Sequence, residues 1–368
     1  MRQFIQYVWL VVLVGGLTGC SLPYYWQAAE GQLELLRKRV PIEKVLGDPS
    51  ENQPLQEKLK LVPEIRQFAV TDLGLPDNSS YRSYADLQRA YVVWNVVAAG
   101  EFSVDPVQWC FPFAGCVVYR GFFDESSARN FAKKLDSRGL DTYVVGSPAY
   151  STLGYFADPV LNTMLFRGEE YLVGILFHEL AHQRLYIKDD SELSEAFATA
   201  IEEYGTQRWF EAQHNQRALE LYREKLLRRT QFAQLILEQQ GRLRKIFSET
   251  TLPESMGIAK ANAYDVMKDE YQTLKHQWGG ASGYDNWFSG PLSNAKLASV
   301  STYRRWVSGL LWYLTLNGLP AFYAEMEALS RLTWDGRRLR LESWLTSALS
   351  DPRSGAAERA VAGDDSLD

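Results

Sequence analysis

A segment that is apolar on nearly every side restricts the fold of this chain more than any other feature. Residues 169–186 read EEYLVGILFHELAHQRLY, which places Leu, Val, Ile and Phe around the whole circumference of a helix. A helix of this kind is buried on most of its sides. Other elements must therefore surround it, and a chain of 368 residues that is 46% hydrophobic can form such a core. This composition excludes disorder as the main state.

The segment contains the motif HELAH, in which His178 and His182 are four residues apart. On a helix both imidazoles share one face, about one turn apart, and can bind a single Zn²⁺. Glu179 is rotated by about 100° from His178, so it can reach a water on the open side of the metal without being a ligand. The alternative is a pair of hydrogen-bonded core histidines. Burial of two imidazoles beside a carboxylate without a metal would cost considerable free energy. The motif predicts one Zn²⁺, with Glu179 as the catalytic general base.

A second helix is predicted from Ser191 to about residue 204, ending near Gly205. Asp189 and Glu192 resemble a capping box at its start. This helix follows the HELAH segment after a short polar break, so the two helices are expected to lie antiparallel.

A hydrolytic zinc needs a third protein ligand, which the second helix can supply. His182 lies about four residues before the turn. The residue at the same height on the second helix therefore lies about four residues after the turn, at Glu195. Glu192 is the second choice, since it lies close to the turn. Glu202 and Glu203 are placed about 16–18 Å along the helix, too far to be ligands.

The rest of the chain predicts a mostly helical α+β fold with a small mixed sheet. Residues 277–291 are dense in Gly, Ser and aromatic residues and predict a long surface loop. Helices are expected at 26–40, 55–73, 126–135, 212–247, 294–316 and 321–332, and strands at 91–97, 117–123 and 142–145.

The first twenty residues have the pattern of a targeting segment. Arg2 precedes a short apolar run that ends in Leu-Thr-Gly-Cys at Cys20, which resembles the bacterial lipobox. The expected organisation is a lipoprotein signal peptide at 1–19, a single domain at 20–350 and a disordered tail at 351–368. Lipidation of Cys20 and the following Ser21 imply anchoring at the outer membrane, facing the periplasm. An ordinary signal peptide or a membrane-anchoring helix is the alternative.

Cys110 and Cys116 are the other two cysteines and flank a turn that contains Pro and Gly. In an oxidising periplasm these thiols are expected to form a disulfide. Zinc ligation is a weaker interpretation, because five intervening residues exceed the usual spacing and His is absent nearby. A pair of buried free thiols also remains open.

Several of these motifs occur together in a bacterial family of predicted aminopeptidases, zinc-dependent HExxH lipoproteins that resemble gluzincins. The resemblance consists of the lipobox, a Trp-Cys-Phe-Pro-x-Ala-Gly-Cys segment, Tyr150-Ser-Thr-Leu-Gly154, HELAH and the Ser194-Glu-Ala-Phe-Ala198 segment, in this order. It implies a zincin-like core and a zinc peptidase in which Glu195 is the third ligand. A Gly-Ala-Met-Glu-Asn segment, which well-studied aminopeptidases use to hold the substrate amine, is absent from the sequence.

We therefore expect a zinc metallopeptidase, of aminopeptidase type, whose partners are a peptide substrate and the membrane at Cys20. The net charge of −6 with mixed signs disfavours nucleic-acid binding. Tyr303, Tyr155 and Arg304 are candidate donors to the transition state by residue type, and Tyr150 begins a candidate edge strand for substrate at 150–153. An envelope endopeptidase, an enzyme acting on cell-wall peptides and a zinc-stabilised scaffold lipoprotein are the alternatives.

Overall fold

The computed structural model describes residues 22–111, 115–250 and 252–351. The predicted signal peptide, the predicted lipidation site Cys20 and residues 352–368 of the predicted tail lie outside these ranges. Among the described residues, every helix is too short or too polar to cross a bilayer.

Helices make up most of the described residues, so the mostly helical α+β class is confirmed. The helices are α1 Leu22–Arg37, α2 Ile42–Leu46, α3 Gln53–Thr71, α4 Glu125–Asp136, α5 Asn162–Leu165, α6 Glu169–Arg184, α7 Ser191–Ala212, α8 Gln216–Glu249, α9 Pro253–Gln277, α10 Asp285–Phe288, α11 Asn294–Arg304, α12 Val307–Ser330 and α13 Trp334–Ser350. The strands are β1 Val40–Pro41, β2 Ser83–Ala85, β3 Val93–Gly100, β4 Trp109–Phe111, β5 Gly115–Val117, β6 Arg120–Phe122, β7 Leu140–Ser147 and β8 Val160–Leu161.

The largest sheet has the strand order β6-β3-β7 and is antiparallel throughout. Alternation along β3 gives this sheet two apolar faces. Val96 and Ala98 cluster with residues of α4, whereas Val97 and Ala99 cluster with Ala295 and Ala298 of α11. The sheet therefore lies between α4 and α11. A small mixed sheet, β1-β2-β8, leads into α5 and α6.

Helix α6 lies in the main core, as its all-round apolar pattern predicts. Leu172, Val173, Leu176, Phe177 and Leu180 are fully buried. Helices α7 and α3 cover it, and α12 packs on the other side of α7 through the stacked rings of Phe197 and Phe322.

The second helix continues well beyond its predicted end, to Ala212. Gly205 lies inside α7 and does not end it. A Cβ at this position would lie 2.6 Å from Leu73 Cδ1 and 2.8 Å from Phe177 Cδ2, so the glycine allows α7 to approach α6 closely. The sequence predicts that Gly205 ends the helix, but in the structure this glycine serves helix packing.

Other predicted boundaries also require correction. Residues 150–153 are not a strand, because β7 ends at Ser147 and a loop stabilised by Asp158 follows it. The helix predicted at 294–316 is divided between α11 and α12, and α12 bends at Gly318, whose φ is 75°. Helices α9 and α13 were not predicted, since few of their residues are buried apolar ones.

Candidate metal centre

Three buried side chains from α6 and α7 converge on one point. Glu195 Oε2 lies 3.3 Å from His178 Nε2 and 3.4 Å from His182 Nε2, and the two Nε2 atoms are 3.2 Å apart. All three residues are more than nine-tenths buried. Among the described residues, this is the group of His, Cys, Asp and Glu side chains with the geometry of a metal site.

The spacing of these atoms fits a tetrahedral ion. Ligand atoms about 2.1 Å from Zn²⁺ at tetrahedral angles lie about 3.4 Å from one another. The observed separations of 3.2–3.4 Å match this value. Two imidazoles and one carboxylate are also a common donor set for catalytic zinc. The group could therefore bind a metal ion.

The electrostatics of the site favour a bound cation. Burial alone would lower the pKa of His178, but hydrogen bonds and charge interactions with Glu195 and Glu202 raise it to about 10. Burial would raise the pKa of Glu195, but both histidines lower it to about 2. The carboxylates of Glu195 and Glu202 thus stabilise positive charge at the histidine nitrogens.

The start of α7 fixes the position of Glu195. Asp190 is the N-cap residue, because its side chain accepts a hydrogen bond from the backbone N–H of Leu193 at 3.2 Å. Asp190 is also ion-paired with Arg337 and Arg338 of α13, both at 2.8 Å. The predicted capping box of Asp189 and Glu192 is therefore wrong, since the cap lies one residue later.

Glu192, the second choice for the third ligand, points elsewhere. Its Oε2 accepts a hydrogen bond from Trp306 Nε1 at 2.9 Å and lies 3.3 Å from Arg338 Nη2. It is absent from the group that converges on the candidate metal site.

Glu202 lies next to the metal site, although the sequence argument placed it far away. Its Oε2 is 3.1 Å from Nδ1 of His178, the ring nitrogen that faces away from the ligand cluster. The distance expected from the sequence is counted from His182 and the turn. On antiparallel helices His178 is level with Thr199, and Glu202 is only three residues, about 4.5 Å, beyond it. A carboxylate in this position fixes the tautomer and orientation of a ligating histidine.

Glu179 is buried on α6 beside the two histidines. Burial raises the pKa of this carboxyl, the nearby histidines oppose that shift, and the charges of Glu195 and Asp158 add to it. As expected from its position in the motif, Glu179 lies outside the three-residue ligand group.

Two tyrosines interact electrostatically with the carboxylates of the site. Burial raises the pKa of Tyr303 on α11 well above its ordinary value, and the charges of Glu195 and Glu179 act in the same direction. Tyr119, which follows β5, shows the same shift from burial and from the same two carboxylates. Both hydroxyls therefore remain protonated and can donate hydrogen bonds. Tyr119 was missed because no motif marks a lone tyrosine after a hairpin.

The other candidates taken from residue type have different environments. Tyr155 is 70% exposed in the loop after β7. Tyr150 packs edge-to-face on Phe123 at 5.2 Å between ring centroids. Arg304 forms an ion pair with the buried Glu203.

A disulfide joins Cys110 and Cys116 across the two-stranded hairpin β4–β5. The hairpin contacts the turn between α6 and α7, where the backbone N–H of Cys116 donates to Asp189 Oδ1 at 2.9 Å. Gly115 has a φ of 73°, and a Cβ at this position would clash with Asp189 and Lys188. The disulfide therefore closes the hairpin before Tyr119, and the hydrogen bond from Cys116 to Asp189 holds the hairpin against the turn between α6 and α7.

Comparisons with known proteins gave a match at the level of the family. The chain matches no curated protein and no solved structure. A family model described as "Putative aminopeptidase" matches residues 23–341, which include every residue of the candidate metal centre. Because this match covers well over half of the sequence, the chain belongs to the Putative aminopeptidase family.

Proposed function

We propose that this protein is a zinc-dependent metallopeptidase that acts as an aminopeptidase. The observation that carries the proposal is the buried group of His178, His182 and Glu195, whose ligand atoms have the spacing of a tetrahedral zinc site, with Glu179 beside it. Membership of the Putative aminopeptidase family supports a peptide substrate.

His178, His182 and Glu195 would hold the Zn²⁺, which when bound acts as a Lewis acid and lowers the pKa of water. Glu179 serves as the general base, which takes a proton from the attacking water and delivers it to the departing nitrogen. Because Glu179 lies one residue after His178 on a rigid buried helix, its position relative to the ligands is fixed by the helix itself.

Tyr303 and Tyr119 are proposed to stabilise the negative charge that develops on the carbonyl oxygen of the scissile bond. Each is electrostatically coupled to Glu179 and Glu195, and each keeps its proton because burial raises its pKa. A donor aimed at a developing oxyanion contributes more than the same donor in water, because the site is desolvated.

The test is cleavage of a defined peptide mixture by the full chain, with each peptide present in a free and an N-acetylated form. Mass spectrometry of the products distinguishes the peptidase types. Release of single N-terminal residues from the free peptides alone is the result expected of an aminopeptidase. Internal cleavage of both forms would instead assign an envelope endopeptidase or a cell-wall peptidase, and the absence of cleavage by zinc-loaded protein would favour a scaffold.

Glu179→Gln is expected to retain zinc and lose turnover. Glu170→Gln is the matched control, because Glu170 is on the same helix but is ion-paired with Lys225. Equal activity of Glu179→Gln and the wild type would refute the role of Glu179 as general base.

We also propose that the protein is lipidated at Cys20 and anchored to the outer membrane, facing the periplasm. The support is the sequence pattern that precedes Cys20. Labelling of cells with a radioactive fatty acid is expected to mark the wild-type protein but not Cys20→Ala. Equal labelling of both proteins would refute lipidation at this residue.

A further inference from the structure

A row of alternating charges runs from the candidate metal centre to α8 and α11. It begins at His178, whose Nδ1 lies 3.1 Å from Glu202 Oε2. Arg229 of α8 then bridges two neighbouring carboxylates, with Nη1 at 3.0 Å from Glu202 Oε1 and Nη2 at 2.8 Å from Glu203 Oε1. Glu203 Oε1 is also ion-paired with Arg304 at the end of α11.

Most members of this row are too well buried for an ordinary surface network. The side chain of Glu203 is 1% exposed, that of Arg304 9% and that of Glu202 19%, whereas that of Arg229 is 35% exposed. The two carboxylates balance the two guanidinium groups. Removal of one partner would leave an uncompensated charge in a poorly solvated place, which is far more costly than loss of a surface pair.

The local sequence explains how two consecutive glutamates serve different neighbours. On a helix Glu202 and Glu203 point about 100° apart, so one faces α6 and the other faces α8 and α11. Gly174 lies against the first of these side chains, because a Cβ there would lie only 3.1 Å from Glu202 Cγ. The guanidinium group of Arg229 is a planar fork, which suits simultaneous contact with two carboxylates.

We propose that Arg229 is a positioning residue for the metal centre. It orients Glu202 and keeps its charge in place, and Glu202 in turn holds His178 in the tautomer that presents Nε2 to the metal. Glu203 and Arg304 anchor the other side of Arg229, next to Tyr303. This inference rests on the proposed function, and it concerns metal affinity rather than cleavage itself.

The contacts of the two histidines indicate that the effect passes through His178. Nδ1 of His182 is buried and has no hydrogen-bond partner among the described residues. His178 is thus the ligand whose orientation a second side chain controls. Changes in carboxylates that orient ligating histidines typically weaken metal binding by about 10- to 100-fold.

The experiment measures the zinc dissociation constant of the full chain by competition with a chromogenic chelator. Arg229→Gln is compared with Arg228→Gln, because Arg228 is the adjacent residue on α8 but forms its ion pair within its own helix, with Glu224. We expect Arg229→Gln to weaken zinc binding roughly 10-fold or more, and Arg228→Gln to bind as the wild type does. In a Glu202→Gln background, Arg229→Gln should have little further effect, since both changes act through one contact.

A purely structural role for Arg229 would give a different pattern. It would lower the melting temperature of the metal-free protein and leave the zinc dissociation constant unchanged, and this result would overturn the proposal. If Arg229→Gln does not fold, Arg229→Lys provides the same test, because a lysine keeps the charge but cannot bridge both carboxylates as a fork does. Zinc binding by Arg229→Lys equal to that of Arg228→Gln would also overturn it.

The same titration separates this inference from the proposed function. A wild-type protein that binds zinc but cleaves no peptide would refute the peptidase while the comparison of Arg229 and Arg228 stands. An active wild type in which Arg229→Gln binds zinc normally would refute the positioning role alone. A wild type without zinc affinity would refute both.

Discussion

Gly205→Ala tests the packing that brings the two ligand-bearing helices together. The added Cβ would lie 2.6 Å from Leu73 Cδ1 and 2.8 Å from Phe177 Cδ2. Leu73 is 1% exposed and Phe177 is fully buried, so neither side chain can move into solvent. Carbon atoms pack at about 3.5–4.0 Å, and α7 would therefore have to move by about 1 Å relative to its neighbours.

The magnitude follows from two opposing effects. Replacement of a helical glycine by alanine stabilises a helix by about 0.8–1.0 kcal/mol. Insertion of a methyl group into a filled core costs about 1–3 kcal/mol. Gly241→Ala is the matched control, because Gly241 lies within α8 and a Cβ there meets nothing within 4 Å. The difference between the two variants thus isolates the packing cost at Gly205.

Urea unfolding of both variants, followed by far-UV circular dichroism with excess chelator present, gives the free energies without a contribution from bound metal. We expect Gly241→Ala to be more stable than the wild type and Gly205→Ala to be less stable than Gly241→Ala by about 1–3 kcal/mol. Zinc affinity should also fall in Gly205→Ala alone. If both variants gain the same stability, the close approach of α7 to α6 is refuted.

Three further predictions concern neighbouring parts of the site. Asp190→Asn keeps an N-cap residue but breaks the buried ion pairs with Arg337 and Arg338. It should lower the free energy of unfolding by about 3–5 kcal/mol in the same urea assay. A loss as small as that of a surface pair would contradict the burial of these charges. Replacement of both Cys110 and Cys116 by Ser should destabilise the protein by about 2 kcal/mol, the value for so short a loop, and unchanged stability would show that the hairpin is held by its other contacts. Tyr303→Phe should lower kcat on the order of 100-fold with zinc affinity unchanged, whereas a normal kcat would remove Tyr303 from the transition state.

The parts of the site that the sequence predicts are those set by helical geometry alone. His178, Glu179 and His182 lie on one helix, so the periodicity of the chain fixes their relative positions. Glu195 required one more assumption, an antiparallel helix after a short turn, and that assumption also agrees with the structure.

The parts that the sequence does not predict depend on tertiary contacts. Glu202 was dismissed because its distance was measured from the turn, whereas its partner His178 lies one turn farther back on α6. Arg229 comes from a different helix altogether, and no spacing rule links residue 229 to residue 202. Gly205 is a similar case, because a single sequence does not distinguish a glycine that ends a helix from a glycine at which two helices cross.

The candidate metal centre therefore depends on residues that lie outside its motif. Separations of 3.3 and 3.4 Å between the histidine nitrogens on α6 and the Glu195 carboxylate on α7 require these helices to approach closely, and Gly205 permits that approach. Gly174 then leaves space for Glu202, which carries the charge that orients His178. A related chain with HELAH and Glu195 but with larger residues at positions 174 and 205 would keep every candidate ligand, and we expect it to bind zinc more weakly. Zinc affinity, rather than the presence of the motif, is thus the property that defines whether a related chain has this site.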